Sequence, residues 1–389
     1  MKKYISIVLF FVSINCFSQS RISRFLSEIH PVSASSTRIQ MVESFMAIAQ
    51  KTGIPMIDGD TATFIYRGRA TSVLLAGDMN GWRGEKETFT QIAGTDFFYF
   101  QKKYERNARL DYKLVIDDKN WILDPLNPNV CYGGFGPNSE LAMTDYLQPQ
   151  EIKEKQESLK GKVISDSIFS FNTKKKYLIK IYFPNEYSTD SNKKYPTVYF
   201  QDGGEYASVG FALNILDNLI SEKKIDPVIA VFVSPNNRNE EYAFGLKNEY
   251  QLFFATELVP FIDKTCHTFQ TPDKRLVIGD SYGGNISALI AYNHSDIFGN
   301  CGLHSGAFQE NDFETFKLIT TGSKKNIKWY SVWGTYEGLW KNMRSFRDFL
   351  NSAGYISEHH EFPEGHSWGL WRANTDSMLE YFFPYTGKK

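Results

Sequence analysis

The sequence predicts an α/β protein: a mainly parallel sheet wrapped by helices over residues 161–389, preceded by a small all-β sandwich over 54–147. Two observations carry this. From Tyr177 onward, short apolar runs alternate with helix-compatible stretches, the order that parallel strands with crossover helices require. Before the polar segment 148–160, β-branched and aromatic runs are short, frequent and separated by turn residues. The length of 389 residues, beyond what one core usually serves, agrees with two parts.

The first residues carry Lys2 and Lys3, then an apolar run from Ile5 to Ile14 that is too short to span a bilayer. Ser18 is a small residue suited to the end of a cleaved leader. Residues 1–18 are therefore expected to be an export signal, giving a periplasmic or secreted protein. A lipoprotein signal through Cys16 is the alternative, disfavoured by Ser13-Ile14-Asn15 before it. No later stretch reaches the length of a membrane span. Loss of Cys16 leaves Cys131, Cys266 and Cys301, which allows one disulfide (Cys266 with Cys301) or three buried thiols. There is no CxxC and no cysteine–histidine cluster, so no zinc site is signalled; no metal or cofactor is expected. Composition is that of a globular chain, 42% hydrophobic and 22% charged. A net charge of −1 lacks the basic excess that a nucleic-acid partner calls for.

Residues 19–53 read as a helical lead-in: Met41, Phe45, Ile48 and Ala49 share one helical face, and Gly53 stops it. A packing arm across the next domain is expected. Strands follow at Thr61 to Tyr66, Ser72 to Ala76, Phe97 to Lys103 and Asp111 to Ile116, punctuated by Asp78-Met79-Asn80-Gly81 and Asp117-Asp118. Trp82 and Trp121 could stack on a ligand, but packing or interdomain places are expected. Residues 54–147 hold no complete serine, acid and histidine set, so they are expected to supply no chemistry. After the linker 148–160, strands are expected at Tyr177 to Phe183, Thr197 to Gln201, Val228 to Val233, Arg275 to Gly279, Gly302 to Ser305, Trp329 to Gly334 and His359 to Phe362. Helices begin near Val209 and span Asn248 to Asp263 and Trp340 to Leu350.

The chemistry centres on Gly279-Asp280-Ser281-Tyr282-Gly283-Gly284, a G-x-S-x-G turn between a buried strand and a helix. This is the context of a nucleophile elbow, in which the turn lifts the Ser281 hydroxyl above the sheet edge. Serine needs a base, and the base an orienting acid. In the α/β-hydrolase order of serine, acid, histidine, His366 in the loop Pro363-Glu364-Gly365-His366 is the candidate base. His359 and His360 lie within the strand before it. Glu337, in the loop after Trp329 to Gly334, is the candidate acid, with Asp348 more suited to a solvated helix face. The oxyanion needs two backbone N–H donors. Tyr282, after the nucleophile, supplies one, and Gly204 in Asp202-Gly203-Gly204-Glu205 the other, with Gly203 next. Glu205, Arg238 and Trp368 are candidate substrate contacts.

VYFQDGGEY, PNNRNEEY, ATELVPFID, GDSYGG, HSGAF and GHSWGLWR occur here in the order seen in one esterase family. It includes enterochelin esterases, feruloyl esterases of carbohydrate esterase family 1, esterase D and mycolyltransferases. The resemblance covers about 180–385 and implies Ser281, Glu337 and His366 as a triad, although the acid is often Asp. Arg238 and Glu241 match the family's R-x-x-E pair and are expected to form an ion pair at the cleft rim. VLLAGDMNGW and YKLVIDDKNWILDPLNP resemble the immunoglobulin-like modules that precede glycan-active and siderophore-active enzymes, including carbohydrate-binding module family 48.

The expectation is an exported serine ester hydrolase working through an acyl-enzyme. Feruloyl or acetyl esters of plant polysaccharide are favoured slightly over an enterochelin-type siderophore trilactone. An acyltransferase would use the same residues, with a sugar hydroxyl in place of water. A non-catalytic glycan-binding protein is disfavoured, since a degenerate enzyme usually loses one member of its triad.

Overall fold

Ser20 caps the first helix by accepting the Ser23 N–H, and α1 (Arg21–Ile29) and α2 (Ser35–Thr52) follow, ended by Gly53 at φ 94°. This computed structural model describes residues 20–134, 136–188 and 192–387; the expected export signal, 1–18, lies outside the described residues. The two helices lie on one face of the first sheet, where Ile22, Phe25, Ile29, Val42 and Met46 meet Ile65 and Phe97. Burying side chains of this kind contributes roughly 1.5–3 kcal/mol each, enough to hold the lead-in as a packing arm.

Nine strands make the sandwich: β1 (Met56–Asp58), β2 (Thr61–Arg67), β3 (Val73–Gly77), β4 (Thr90–Gln91), β5 (Phe97–Lys103), β6 (Arg109–Ile116), β7 (Asn120–Ile122), β8 (Val130–Gly133) and β9 (Gly136–Ala142). They pair as β1-β2-β5-β4 and β3-β6-β9-β8, with β7 added along β6. The two-residue period of a strand sends Phe64 into the core between the sheets, with Leu75, Tyr112 and Leu114. Its neighbour Ile65 faces the helices. The two tryptophans part company. Trp82 donates its indole N–H to buried Asp78 at 3.1 Å, whereas Trp121 on β7 is exposed.

The second part opens with an antiparallel hairpin, β10 (Lys162–Phe169) and β11 (Lys176–Phe183). There follow β12 (Thr197–Phe200), α3 (Gly203–Ala207), α4 (Ala212–Ser221), β13 (Ile229–Val233), α5 (Arg238–Tyr242), α6 (Lys247–Phe253), α7 (Val259–Thr265), β14 (Arg275–Asp280), α8 (Tyr282–Asn293) and β15 (Asn300–His304). α9 (Glu310–Thr321), β16 (Lys328–Gly334), α10 (Trp340–Ser352), β17 (Ser357–Phe362), α11 (Trp368–Arg372) and α12 (Thr375–Phe382) complete it. The sheet order is β10-β11-β13-β12-β14-β15-β16-β17, and every pair from β13 to β17 is parallel. Its central strands are apolar on both faces because both faces are covered. Tyr199, Val231 and Val277 enter one core; Val198, Phe232 and Ile278 enter the other.

From β12 the chain moves to one side for β13 and then returns to the other for β14. The carboxyl ends of β12 and β14 therefore flank a switch point, where open α/β sheets place their sites. The helix expected over 248–263 is interrupted by a π-helical turn, Phe254–Leu258. Pro260, at the start of α7, has no N–H to continue the i→i−4 ladder. Cys131, Cys266 and Cys301 are all free and buried, so the Cys266–Cys301 pairing is not formed. Among the described residues no helix is long and apolar enough to cross a membrane.

Candidate active site

Ser281 sits between β14 and α8 at φ 53° and ψ −118°, a backbone conformation that costs free energy and persists only when its surroundings enforce it. The enforcement is visible. Its N–H donates to the His304 carbonyl and its own carbonyl accepts from Ala307 N–H, both at 2.9 Å. A Cβ on Gly279 would lie 2.1 Å from the Gly283 carbonyl, so position 279 can approach that carbonyl only as a glycine. The Ser281 side chain makes no hydrogen bond among the described residues, to His366 or to any other group.

Two strands further along, β16 and β17 end in register, with Gly334 opposite Phe362. The loops after them are joined by Thr335 N–H to the Phe362 carbonyl at 2.8 Å and Tyr336 N–H to the Glu364 carbonyl at 3.0 Å. This brings Glu337 to His366. His366 Nδ1–H donates to Glu337 Oε2 at 2.5 Å, and Oε1 accepts the Gly334 N–H at 3.2 Å. Glu337 is buried while the imidazole is partly exposed. Fixing Nδ1 as donor leaves Nε2 as the acceptor for a substrate-side or serine proton. Asp348 is exposed and pairs with Arg347. His359 is bound between Ser331 and Ser357.

At the switch point, α3 starts immediately after β12. Gly203 is pressed against β13, where a Cβ would come within 2.2 Å of Val233 N. Gly204 has more room, with Ser234 Oγ at 3.3 Å from that position. The N–H groups of Gly204 and Tyr282 both belong to first turns of helices, which leave their donors without helical partners. Arg238 joins the two sites. Its guanidinium donates to both Asp202 carboxylate oxygens at 2.8–2.9 Å. It also donates to the Asp280 carbonyl at 3.2 Å and to Asp280 Oδ2 at 3.3 Å. Asp202 precedes Gly203 and Gly204, and Asp280 precedes Ser281. Burial, followed by the Asp202 charge, holds the Asp280 carboxyl well above the usual carboxylate range.

This corrects the pairing expected between Arg238 and Glu241. Glu241 is fully buried facing the other way, bound to Tyr177 Oη at 3.0 Å and Lys175 at 3.3 Å. Trp368, a candidate substrate contact, is buried, packed on Tyr206 and Trp371, and donates its indole N–H to Glu205 Oε2 at 3.0 Å. The structure thus gives Trp368 a supporting place behind Glu205. Sequence reasoning did not single out Asp202, Trp371 or Arg109. Trp371 packs edge-on to the His366 ring and ties to Ser305. Arg109 and Asp111 alternate with Leu110 and Tyr112 in one buried strand, an alternation that in the sequence reads as a solvent-facing polar side.

The sheet and the strained serine turn at its carboxyl edge define an α/β-hydrolase-like core behind an antiparallel, sandwich-like N-terminal region. The chain belongs to the family described as "Putative esterase", whose model matches residues 170–382. It is 30% identical over 182 residues to the uncharacterized protein YjcH of Bacillus subtilis (strain 168), covering 46% of this chain and 74% of that one. It is 27% identical over 243 residues to an endo-1,4-beta-xylanase/feruloyl esterase of Xylanibacter ruminicola, covering 57% of this chain and 31% of that larger protein. Its fold matches ferric enterobactin esterase of Salmonella typhimurium with a TM-score of 0.74 at 18% identity, over 87% of this chain and 98% of that one.

Proposed function

We propose that the protein is an exported serine carboxylic-ester hydrolase. Ser281 attacks the ester carbonyl as His366 Nε2 takes its proton, and Glu337 stabilises the imidazolium that results. Gly204 and Tyr282 N–H donate to the oxyanion. His366 then returns the proton to the leaving alcohol, and water, activated by the same imidazole, releases the acid. The observation that carries this reading is the 2.5 Å His366–Glu337 hydrogen bond at the sheet edge that also bears the strained serine. Ser281→Ala should lower kcat by about 10⁴–10⁶-fold without change of fold, and a phosphonate probe should label Ser281 alone. Retention of a tenth of the activity would refute it. Glu337→Gln should cost less than His366→Ala, because the acid orients and does not itself transfer the proton.

For the substrate, an enterochelin-type siderophore trilactone is the leading reading. It draws support from the likeness to ferric enterobactin esterase, which extends through the N-terminal region as well as the hydrolase core. Feruloyl or acetyl esters of polysaccharide are the second reading, supported by the identity to the xylanase/feruloyl esterase. Relative kcat/KM for a catecholate trilactone and methyl ferulate separates them.

A further inference from the structure

We propose that the N-terminal sandwich is a working part of the active site, with Arg109 and Glu105 positioning the loops that carry His366 and Glu337. The inference rests on the triad reading above. Arg109 starts β6 and is fully buried. Its guanidinium is held on the module's side by Glu140 Oε2, at 2.7 and 3.0 Å, and by an ion pair with Asp111 at 2.7 Å. From that anchor Nη1 donates to Ser367 Oγ at 3.0 Å, on the residue next to His366. The Arg109 backbone N–H donates to the Pro363 carbonyl at 3.2 Å, at the other end of the same loop.

Contact along this loop leaves no slack. A Cβ on Gly365 would lie 1.9 Å from Asp78 Cγ, and one on Gly369 would lie 2.0 Å from Arg109 Cζ. The two glycines bracketing His366 are therefore seated directly on two buried polar side chains of the sandwich, Asp78 and Arg109. The acid loop has its own tie: Tyr336, beside Glu337, packs against the sandwich core and donates its hydroxyl to Glu105 Oε2 at 2.5 Å. Both loops of the base–acid pair thus rest on the other domain, whose groups touch no reacting atom. A His–carboxylate hydrogen bond misplaced by a fraction of an ångström loses catalytic efficiency steeply, and these contacts fix it.

The test uses the full chain and p-nitrophenyl acetate, which is too small to need a second domain for binding. Ser367→Ala removes the Arg109 acceptor, and Tyr336→Phe removes the Glu105 tie. Neither strips a partner from an ion pair, so both variants fold. The double variant should lose about tenfold or more in kcat, with KM changed less than about twofold. The low-field Nδ1 proton resonance of His366 should weaken while the melting temperature stays near wild type. Arg109→Met should show a larger kcat loss. A folded double variant with wild-type kcat and an unchanged His366 resonance overturns the inference. Ser281→Ala and His366→Ala in the same assay keep the two readings apart. If they are inactive while the double variant is unimpaired, this inference alone fails. If they remain active, the triad reading falls and takes this one with it.

Discussion

At the scale of single residues, the carboxyl next to Ser281 is the most informative group. Asp280 is buried between Asp202 and Arg238, and one cation cannot balance two ionised carboxylates there. The bidentate contact goes to Asp202, and burial with the Asp202 charge raises the Asp280 carboxyl, which favours its neutral form. An amide is therefore a close mimic of its working form. Asp280→Asn should leave kcat within about threefold and preserve the fold; a hundredfold loss would show that the ionised form is needed. The residue before the serine could be read in the sequence as an added negative charge, but its protonation depends on partners that arrive from β12 and α5. Ser281, Glu337 and His366 could be proposed from the sequence because their signals are local: a turn of fixed spacing, and loops following identifiable strands in a known order. The Arg238–Glu241 pairing was not legible there. A three-residue spacing on a helix allows a contact but does not decide it when each group has a better partner across the sheet.

At the scale of elements, the elbow is held by the tight approach of Gly279 to Gly283, which leaves no freedom to adjust. Gly279→Ala places a methyl group where the Gly283 carbonyl stands, so the turn must open and move the Ser281 hydroxyl. A displacement of the order of 1 Å at a reacting group costs about a hundredfold in rate, so kcat should fall by at least that much while substrate still binds. Unchanged turnover would show that the turn relaxes elsewhere. The elements read most easily were those with continuous apolar runs, such as β13, all of whose residues are buried. β10 went unread because it is an edge strand with most of its residues exposed or half-exposed, which leaves little hydrophobic period to detect. β8 and β9 were missed for a related reason: Gly133, Gly134, Gly136 and Pro137 read as loop, yet their neighbours Cys131 and Leu141 anchor the hairpin in the cores of both domains.

At the scale of the whole molecule, the two domains share a buried cluster of charge whose protonation couples stability to pH. Glu364, on the histidine loop, is pushed from its ordinary 4.5 to about 8 by burial and then by the carboxylates of Glu140, Asp111 and Asp78, against the pull of Arg109. Asp78 is raised to about 7 by burial and by Asp111. Both are ionised in the unfolded chain above about pH 4.5. Their folded-state protons therefore give stability that is full below that pH and is lost as pH rises through about 7 to 8. His304, which is buried, and His359, which is half-buried, act in the opposite sense. Burial depresses His304 to about 3 and His359 to about 4, so the unfolded state binds protons first and stability falls as pH drops below about 6.5. Between pH 6.5 and 8 the histidines are neutral in both states and only the raised acids act. The melting temperature should then peak near about pH 6 and decline by a few degrees toward pH 8. Glu364→Gln, which keeps the shape of the protonated acid, should make that alkaline decline shallower and leave the acid limb unchanged. Parallel alkaline limbs for the variant and the wild type in a calorimetric pH series would show that Glu364 is already ionised at neutral pH, and that Arg109 neutralises more of the shared cluster than the arrangement of its carboxylates implies.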